Sequence, residues 1–342
     1  MFEKMSKVEL SLITICIVVI GILLFSSNAP EVKPTIKIGY SSSSVNYGPM
    51  MIGVEKGYFE SNDYNIEVVA LKSGKDIRQG LATGHLDMGL SSASNFFTII
   101  AAGAPVKIIS PVTVSNTLLF VRPDNEIETF EDLKGKIIQG GKSGQSEFVF
   151  TRALKMEGID ISEIEFLDIE KEFRAHALTD QKVLDAIPNS SYNKGNFDDY
   201  GIIVHKEWLE KGYGDKSWPN TVIASNDEFL ENNNDAIEFI LDAFVKSHKY
   251  FEENTEDSAQ LIANHINRES LGTADYTKEE ILNTLGSGLS YSLWYDPTEL
   301  VEMAEISFES GALENNLSKD DLLDLRFEDI LKNAQDEIYD QD

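Results

Sequence analysis

The chain has 342 residues, 42% of them hydrophobic and 10% aromatic, a length that fits two globular domains better than a single core. Its 58 acids against 29 bases give a formal net charge of -29, which repels phosphate backbones and anionic lipid headgroups and so excludes nucleic-acid binding. The single cysteine, Cys16, excludes a disulfide framework and a cysteine metal cluster.

Cys16 lies in an apolar run from Leu10 to Phe25 that follows Lys4 and Lys7, the pattern of an export signal or a membrane anchor. Ile15 before the cysteine and Ile17-Val18-Val19 after it speak against lipidation. Ser27-Asn28-Ala29 has the character of a cleavage site, but Pro30 follows it directly. The expectation is therefore an uncleaved N-terminal anchor with Pro30 to Pro34 as linker; secretion after cleavage is the alternative. Either places the body of the protein in the cell envelope, outside the cytoplasmic membrane.

From Ile36 onward short β-rich runs alternate with helical stretches, the pattern of parallel strands joined by crossover helices. The spacing predicts a strand over 36–40, a helix over 48–61, a strand over 66–71, a helix over 74–85, a strand over 86–90 and a helix over 94–103. About a hundred residues later the order returns. There the pattern predicts a strand over 136–140, a helix over 147–158, a strand over 164–169, a helix over 172–180 and a strand over 183–187. The first helix of each series ends near a glycine, Gly57 or Gly158, and each third strand carries a Leu-Asp pair, Leu86-Asp87 or Leu184-Asp185. Two α/β units of one plan are expected, with crossings through strands 106–112 and 116–124 and a return through 221–230. From Asn226 the pattern is helical, with Ala236, Phe239, Ile240, Ala243 and Phe244 on one stripe, and these helices are expected to pack on the first unit. The tail from Glu314, which mixes Leu322, Leu325, Ile330 and Leu331 with many acids, reads as a solvated amphipathic helix.

In open parallel sheets the ligand crevice lies beyond the carboxyl ends of the strands. Four polar loops fall there: Ser41 to Tyr47, Ser91 to Asn95, Lys142 to Glu147 and Asn189 to Tyr192. Each opens a helix, whose first N–H groups lack internal partners and suit an anion or a polar head group. A single such loop is explained by helix capping, worth about 1 kcal/mol; four on one edge of two repeated units point to a cleft. Of the nearby aromatics, Tyr47 and Tyr192 can cover the apolar part of a ligand, while Phe96 and Phe148 fall inside helices and read as core.

Catalytic motifs do not fit. In GGKSGQS (140–146) a phosphate-binding loop needs a glycine where Lys136 stands, and Gln145 occupies the last glycine position of a Gly-x-Ser-x-Gly elbow. The five histidines, His85, His176, His205, His248 and His265, show no i, i+4 pair and read as surface or capping residues. No nucleophile, base and orienting acid stand out, so an enzyme is not expected.

The runs IKIGY, VEKGYFES, IEVVALKSG, LATGHLDMGLSS, AAGAPVKIIS, LLFVRPD and FEDLKGKIIQGGKSGQSEF, in that order, resemble the solute-binding proteins of ABC importers for sulfonates, taurine, nitrate and thiamine-pyrimidine precursors. The resemblance extends through LDAIPNSSY to ISFESGAL and covers 36–320. It implies an α/β, two-lobed type II periplasmic-binding-protein fold, each lobe a mostly parallel sheet flanked by helices, with a cleft that closes on its ligand about a hinge. After residues 1–34, lobe 1 would comprise 35–112 and 222–342, and lobe 2 113–221. The implied ligand-binding positions are Ser42, Ser43, Asn46 and Tyr47 after the first strand, and Ser92, Ala93 and Ser94 after the third. In lobe 2 they are Gly144, Gln145, Ser146 and Glu147 in the Gly-Ser loop, then Asn189 and Tyr192. The resemblance implies no cofactor, no metal, a monomer, and an importer's permease subunits as partners. Only Lys142 among these loops is a cation, which departs from members that hold an ionised anion with arginine. Glu147 either faces an amine on the ligand or is a helix N-terminal acid favoured by the dipole. Two alternative functions stay open: a ligand sensor signalling to a membrane partner, and a pyrimidine-synthesis-type enzyme. The latter is disfavoured because its cysteine-rich loop is missing here.

Overall fold

The structure, a computed structural model, describes residues 33–140, 144–170, 173–270 and 275–339. The expected anchor and Lys142 lie outside the described residues. Among those residues, no helix is long and apolar enough to cross a membrane.

The strands are β1 (Thr35–Ser41), β2 (Asn65–Leu71), β3 (Met88–Ser92), β4 (Val106–Ser115), β5 (Thr117–Val121), β6 (Ile137–Gln139), β7 (Glu165–Leu167), β8 (Ala186–Ser190), β9 (Ile203–Val204), β10 (Trp218–Asn226) and β11 (Leu289–Tyr291). They form two sheets, ordered β11-β4-β10-β3-β1-β2 and β7-β6-β8-β5-β9. The longer helices are α1 (Gly48–Glu55), α2 (Gly74–Ala82), α3 (Ala93–Ala101), α4 (Gln145–Met156), α5 (Asn234–Glu253), α6 (Thr255–Glu269), α7 (Lys278–Gly286), α8 (Pro297–Glu309) and α9 (Glu328–Tyr339).

The repeat read in the sequence is present in the backbone. One sheet contains the order β2-β1-β3-β10 and the other β7-β6-β8-β5, in each case three parallel strands followed by an antiparallel one. The two glycines act alike. Gly57 and Gly158 take φ of +70° and +73°, where a side chain is strained, and each closes its helix with the same pair of bonds. Gly57 N donates to Val54 O and Tyr58 N to Gly53 O; Gly158 N donates to Lys155 O and Ile159 N to Leu154 O. For this reason α1 ends at Glu55 rather than running to 61.

The Leu-Asp pairs also match, though not as strand residues. Asp87 N donates to Lys37 O at 3.0 Å and its carboxylate accepts from Lys37 N at 2.8 Å. Asp185 does the same with Ile137, at 2.7 and 2.9 Å. The aspartate side chain thus takes the place of a ladder partner for the first strand, and β3 and β8 begin only after it, at Met88 and Ala186. The expected strands over 86–90 and 183–187 are shifted accordingly. The preceding Leu86 and Leu184 are buried.

Three further expectations are corrected. The tail helix α9 is not merely solvated: Phe327 and Leu331 are buried in the core that holds α5 and α6, and the Tyr339 hydroxyl pairs with His248 Nδ1 at 2.7 Å. The C-terminal helices do not keep to the first sheet, because α8 also packs on α4, with Arg152–Glu302 at 2.6 Å and Lys155–Glu309 at 2.7 Å. Among the histidines, His85 and His176 are exposed as expected, but His205, His248 and His265 are buried. His205 does cap a helix, accepting from Trp208 N. His265 lies between the Tyr40 hydroxyl at 2.6 Å and Glu55 at 2.7 Å.

Candidate ligand cleft

The polar loops sit at the carboxyl ends of β1 and β3 in one sheet, and of β6 and β8 in the other. On the first sheet, β1 ends at Ser41, whose hydroxyl meets that of Ser43 at 3.0 Å, and Ser44 caps the turn Val45–Tyr47 by accepting from Asn46 N. Ser42 and Asn46 are half-buried and Ser43 is exposed. Tyr47 then folds into the core that holds Met88 and Leu90 of β3, with Ser91 opposing the rise that burial imposes on its hydroxyl. Ser91 Oγ accepts from Asn95 Nδ2 at 2.9 Å. Helix α2 starts close by because Gly74 has no side chain: a Cβ there would lie 2.4 Å from Ser91 Oγ and 2.5 Å from Asn95 Nδ2.

Two expectations for this edge change. Ser92 stands at the N-cap of α3, yet its hydroxyl pairs with Ser94 Oγ at 3.1 Å and accepts no backbone N–H of the helix, so its side chain does not cap it. Ala93 is buried in the core at 1% exposure, so its side chain cannot face a ligand; only its backbone N–H at the start of α3 is available for that.

On the second sheet, Gly140 and Gly144 take φ of +120° and +130°, and the Glu147 carboxylate fills the space beside them. A Cβ on Gly140 would lie 2.7 Å from Oε1, and one on Gly144 2.2 Å from Oε2. Glu147 belongs to the first turn of α4, as the dipole reading has it. Burial pushes its carboxyl up to about 7, against the opposing pull of its own backbone N–H and the Arg174 charge, with Asp168 adding to the rise. Ser146 is half-buried beside it. Gln145 is not free for a ligand: its Nε2 donates to Ser115 O of β4 at 2.8 Å, tying α4 to the other sheet. Asn189 is used locally, its Oδ1 accepting from Ser190 N at 2.8 Å and Asn193 Nδ2 at 3.1 Å.

Tyr192, from the second sheet, packs against the core cluster of the first. It also adds to the rise of the Tyr47 hydroxyl, which burial pushes up to about 12. The two tyrosines expected to flank a ligand are therefore brought together from opposite sheets. Phe96 and Phe148 are buried core, as expected; Phe148 meets the Trp218 ring edge-on at 4.7 Å.

The sequence reading missed a third group on this edge, Thr113, Ser115, Asn220 and Thr221. Thr221 pairs with Ser92 in the sheet and its N–H donates to Thr113 Oγ1 at 3.1 Å; Asn220 Nδ2 donates to Ser115 Oγ at 3.2 Å. The available signal was a cluster of polar residues, TVSNT (113–117), at the end of an apolar run where a strand buried on both faces favours apolar side chains. Among the described residues no three His, Cys, Asp or Glu side chains converge as a metal site would require.

The sequence profile described as NMT1/THI5-like matches residues 44–258. The chain belongs to the NMT1/THI5-like family. The chain is similar to the formylaminopyrimidine-binding protein of Halalkalibacterium halodurans, 18% identical over 243 residues, covering 69% of this chain and 72% of that protein. The periplasmic aliphatic sulphonate-binding protein SsuA from Escherichia coli superposes with a TM-score of 0.66 at 18% identity, over 85% of this chain and 92% of that one. The periplasmic nitrate-binding protein NrtA from Synechocystis superposes with a TM-score of 0.59 at 15% identity, over 91% of this chain and 90% of that one. This NMT1/THI5-like chain therefore has the α/β, two-sheet periplasmic-binding-protein fold of these neighbours. The named relatives are binding proteins.

Proposed function

We propose that this protein is an extracytoplasmic solute-binding protein that captures a small polar organic molecule of the sulfonate, taurine-like, nitrate-like or pyrimidine type and delivers it to an ABC importer. One observation supports the reading: Tyr192, which follows β8 of the second sheet, packs against the core cluster that contains Tyr47, which follows β1 of the first, so polar loops at the strand ends of both sheets come to one edge. In this reading the two lobes divide where the chain crosses between the sheets, residues 35–115 and 218–339 forming one lobe and 117–217 the other, in place of the bounds 112/113 and 221/222 expected from the sequence. The ligand is gripped by the hydroxyls of Ser42, Ser43, Ser92, Ser94 and Ser146, the amide of Asn46, and the N–H groups of Ala93 and Gly144. Tyr47 and Tyr192 cover its remainder. Capture involves no covalent chemistry, the importer's membrane subunits are the partners, and the N-terminal segment holds the protein at the outer face of the membrane.

The test is a thermal-shift screen of the full-length protein against ethanesulfonate, taurine, nitrate, an aminopyrimidine and a flavin. A true ligand at a hundred times its Kd stabilises by roughly 2.7 kcal/mol. No shift from any class, with uptake in cells unchanged by Ser92→Ala and Ser146→Ala together, would sink the placement of the site.

A further inference from the structure

Asn116 lies between β4 and β5, at the point where the chain leaves one sheet for the other. Its backbone is divided between them. The register Leu289↔Ser115 of β11 and β4 continues one step further, so that Asn116 N donates to Gly288 O at 3.2 Å. The register Thr117↔Ser190 of β5 and β8 continues likewise, so that Ser191 N donates to Asn116 O at 2.9 Å. The N–H of this residue belongs to the first sheet and its C=O to the second. Its flanks, Ser115 and Thr117, are fully buried and fixed in their strands. Rotation of one sheet against the other at this crossing therefore falls on the φ and ψ of Asn116.

The side chain adds a second link. The chain returns to the first sheet through residues 214–218, and the Asn116 amide spans that return segment: Nδ2 donates to Gly214 O at 2.7 Å and Oδ1 accepts from Ser217 Oγ at 2.7 Å. All four hydrogen-bonding functions of the residue are thus committed, two to the sheets and two to the other crossover. Close by, Ser191 Oγ donates to Ser287 O at 2.8 Å, and Gly288, at φ +93°, leaves room for it, since a Cβ would lie 2.2 Å from that oxygen.

We infer that Asn116 is the hinge residue of this protein and that its side-chain amide couples the two crossovers, so that they turn together when the lobes open and close. The inference rests on the proposed reading that the lobes move. Asn116 acts by positioning: it sets the angle between the two halves of the site and need not touch a ligand.

Inter-lobe distance, measured by double electron–electron resonance on full-length protein in a Cys16→Ser background, tests this. Spin labels go at the exposed positions Lys75→Cys and Asp199→Cys, one on each lobe; Lys75→Cys with Glu231→Cys gives the reference width within lobe 1. The inter-lobe distribution of the otherwise unchanged protein is expected to be broader than the reference. Asn116→Ala is expected to shift or broaden it further, by more than the reference width, and Ser217→Ala, which removes one of the two side-chain links, to do so less. Asn125→Ala removes a comparable bond, Nδ2 to Asp185 O at 2.8 Å within lobe 2, and is expected to lower the melting temperature without moving the distance. If Asn116→Ala does not fold, Asn116→Asp, which keeps the acceptor for Ser217 and loses the donor to Gly214, takes its place with the same expectation. An inter-lobe distribution as narrow as the reference defeats the moving-lobe reading itself. A broad one that the Asn116 variants leave superimposable defeats the hinge assignment alone.

Discussion

Replacing Glu147 by glutamine removes an ionisation while keeping the shape of the side chain beside Gly140 and Gly144. Burial raises the carboxyl from 4.5 to about 7. Between those values the folded chain holds a proton that the unfolded chain has released, so the stabilising contribution is complete below pH 4.5 and is lost as pH rises through 7. Taken whole, a rise of this size is worth roughly 3 kcal/mol. The side chain keeps some contact with water, which reduces the figure to about 1.5–3 kcal/mol. Urea unfolding of full-length protein and of Glu147→Gln, followed by circular dichroism from pH 5 to pH 8.5, measures it. The two should have nearly equal stability at about pH 5, and the variant should gain about 2 kcal/mol over its parent by about pH 8.5. A difference that does not change with pH, or that grows in acid, would show that the carboxyl is ionised throughout and that its place beside Gly140 and Gly144 does not shield it.

Two other outcomes are expected. His248 is buried and its imidazole is held down to about 3 by that burial, so its neutral form contributes stability that is present above 6.5 and is lost as pH falls towards 3. Its ring resonances should show no protonation step in the folded protein at pH 5; a midpoint near 6 would contradict the packing of α9 over it. Asp87→Ala and Asp185→Ala each remove a carboxylate that accepts a backbone N–H, and each should cost about 1.5–3 kcal/mol in urea unfolding. The losses should be similar and, since the two sites lie in different sheets, additive; a large loss at one and none at the other would end the equivalence drawn between the two halves.

The repeat could be read in the sequence because both copies solve the same local problems with the same residues. A helix that ends in a left-handed turn needs glycine, at Gly57 and at Gly158. A first strand that needs a side-chain acceptor at its start draws on aspartate, at Asp87 and at Asp185. The polar loops at the strand ends were legible for a related reason: runs of serine and asparagine between a strand and a helix mark turns and helix starts. Which atom each side chain chooses was not legible. The Ser92 hydroxyl could accept a backbone N–H of the helix or pair with the Ser94 hydroxyl, and it does the latter. The burial of His248 depends on α9, which arrives from about ninety residues away, and no local pattern encodes that.

Asn116 shows the same limit most clearly. The sequence reading ends one strand at Val112 and starts the next at Asn116. The structure instead carries β4 through to Ser115 and starts β5 at Thr117, which leaves one residue to connect two sheets. A flexible loop there would let the lobes turn in any direction and would cost conformational entropy each time a ligand fixed them. A single residue with its donor in one ladder, its acceptor in the other and its side chain on the return segment restricts the turn to few degrees of freedom. In the proposed reading closure then loses less entropy, and more of the contact energy in the cleft is left for holding the ligand.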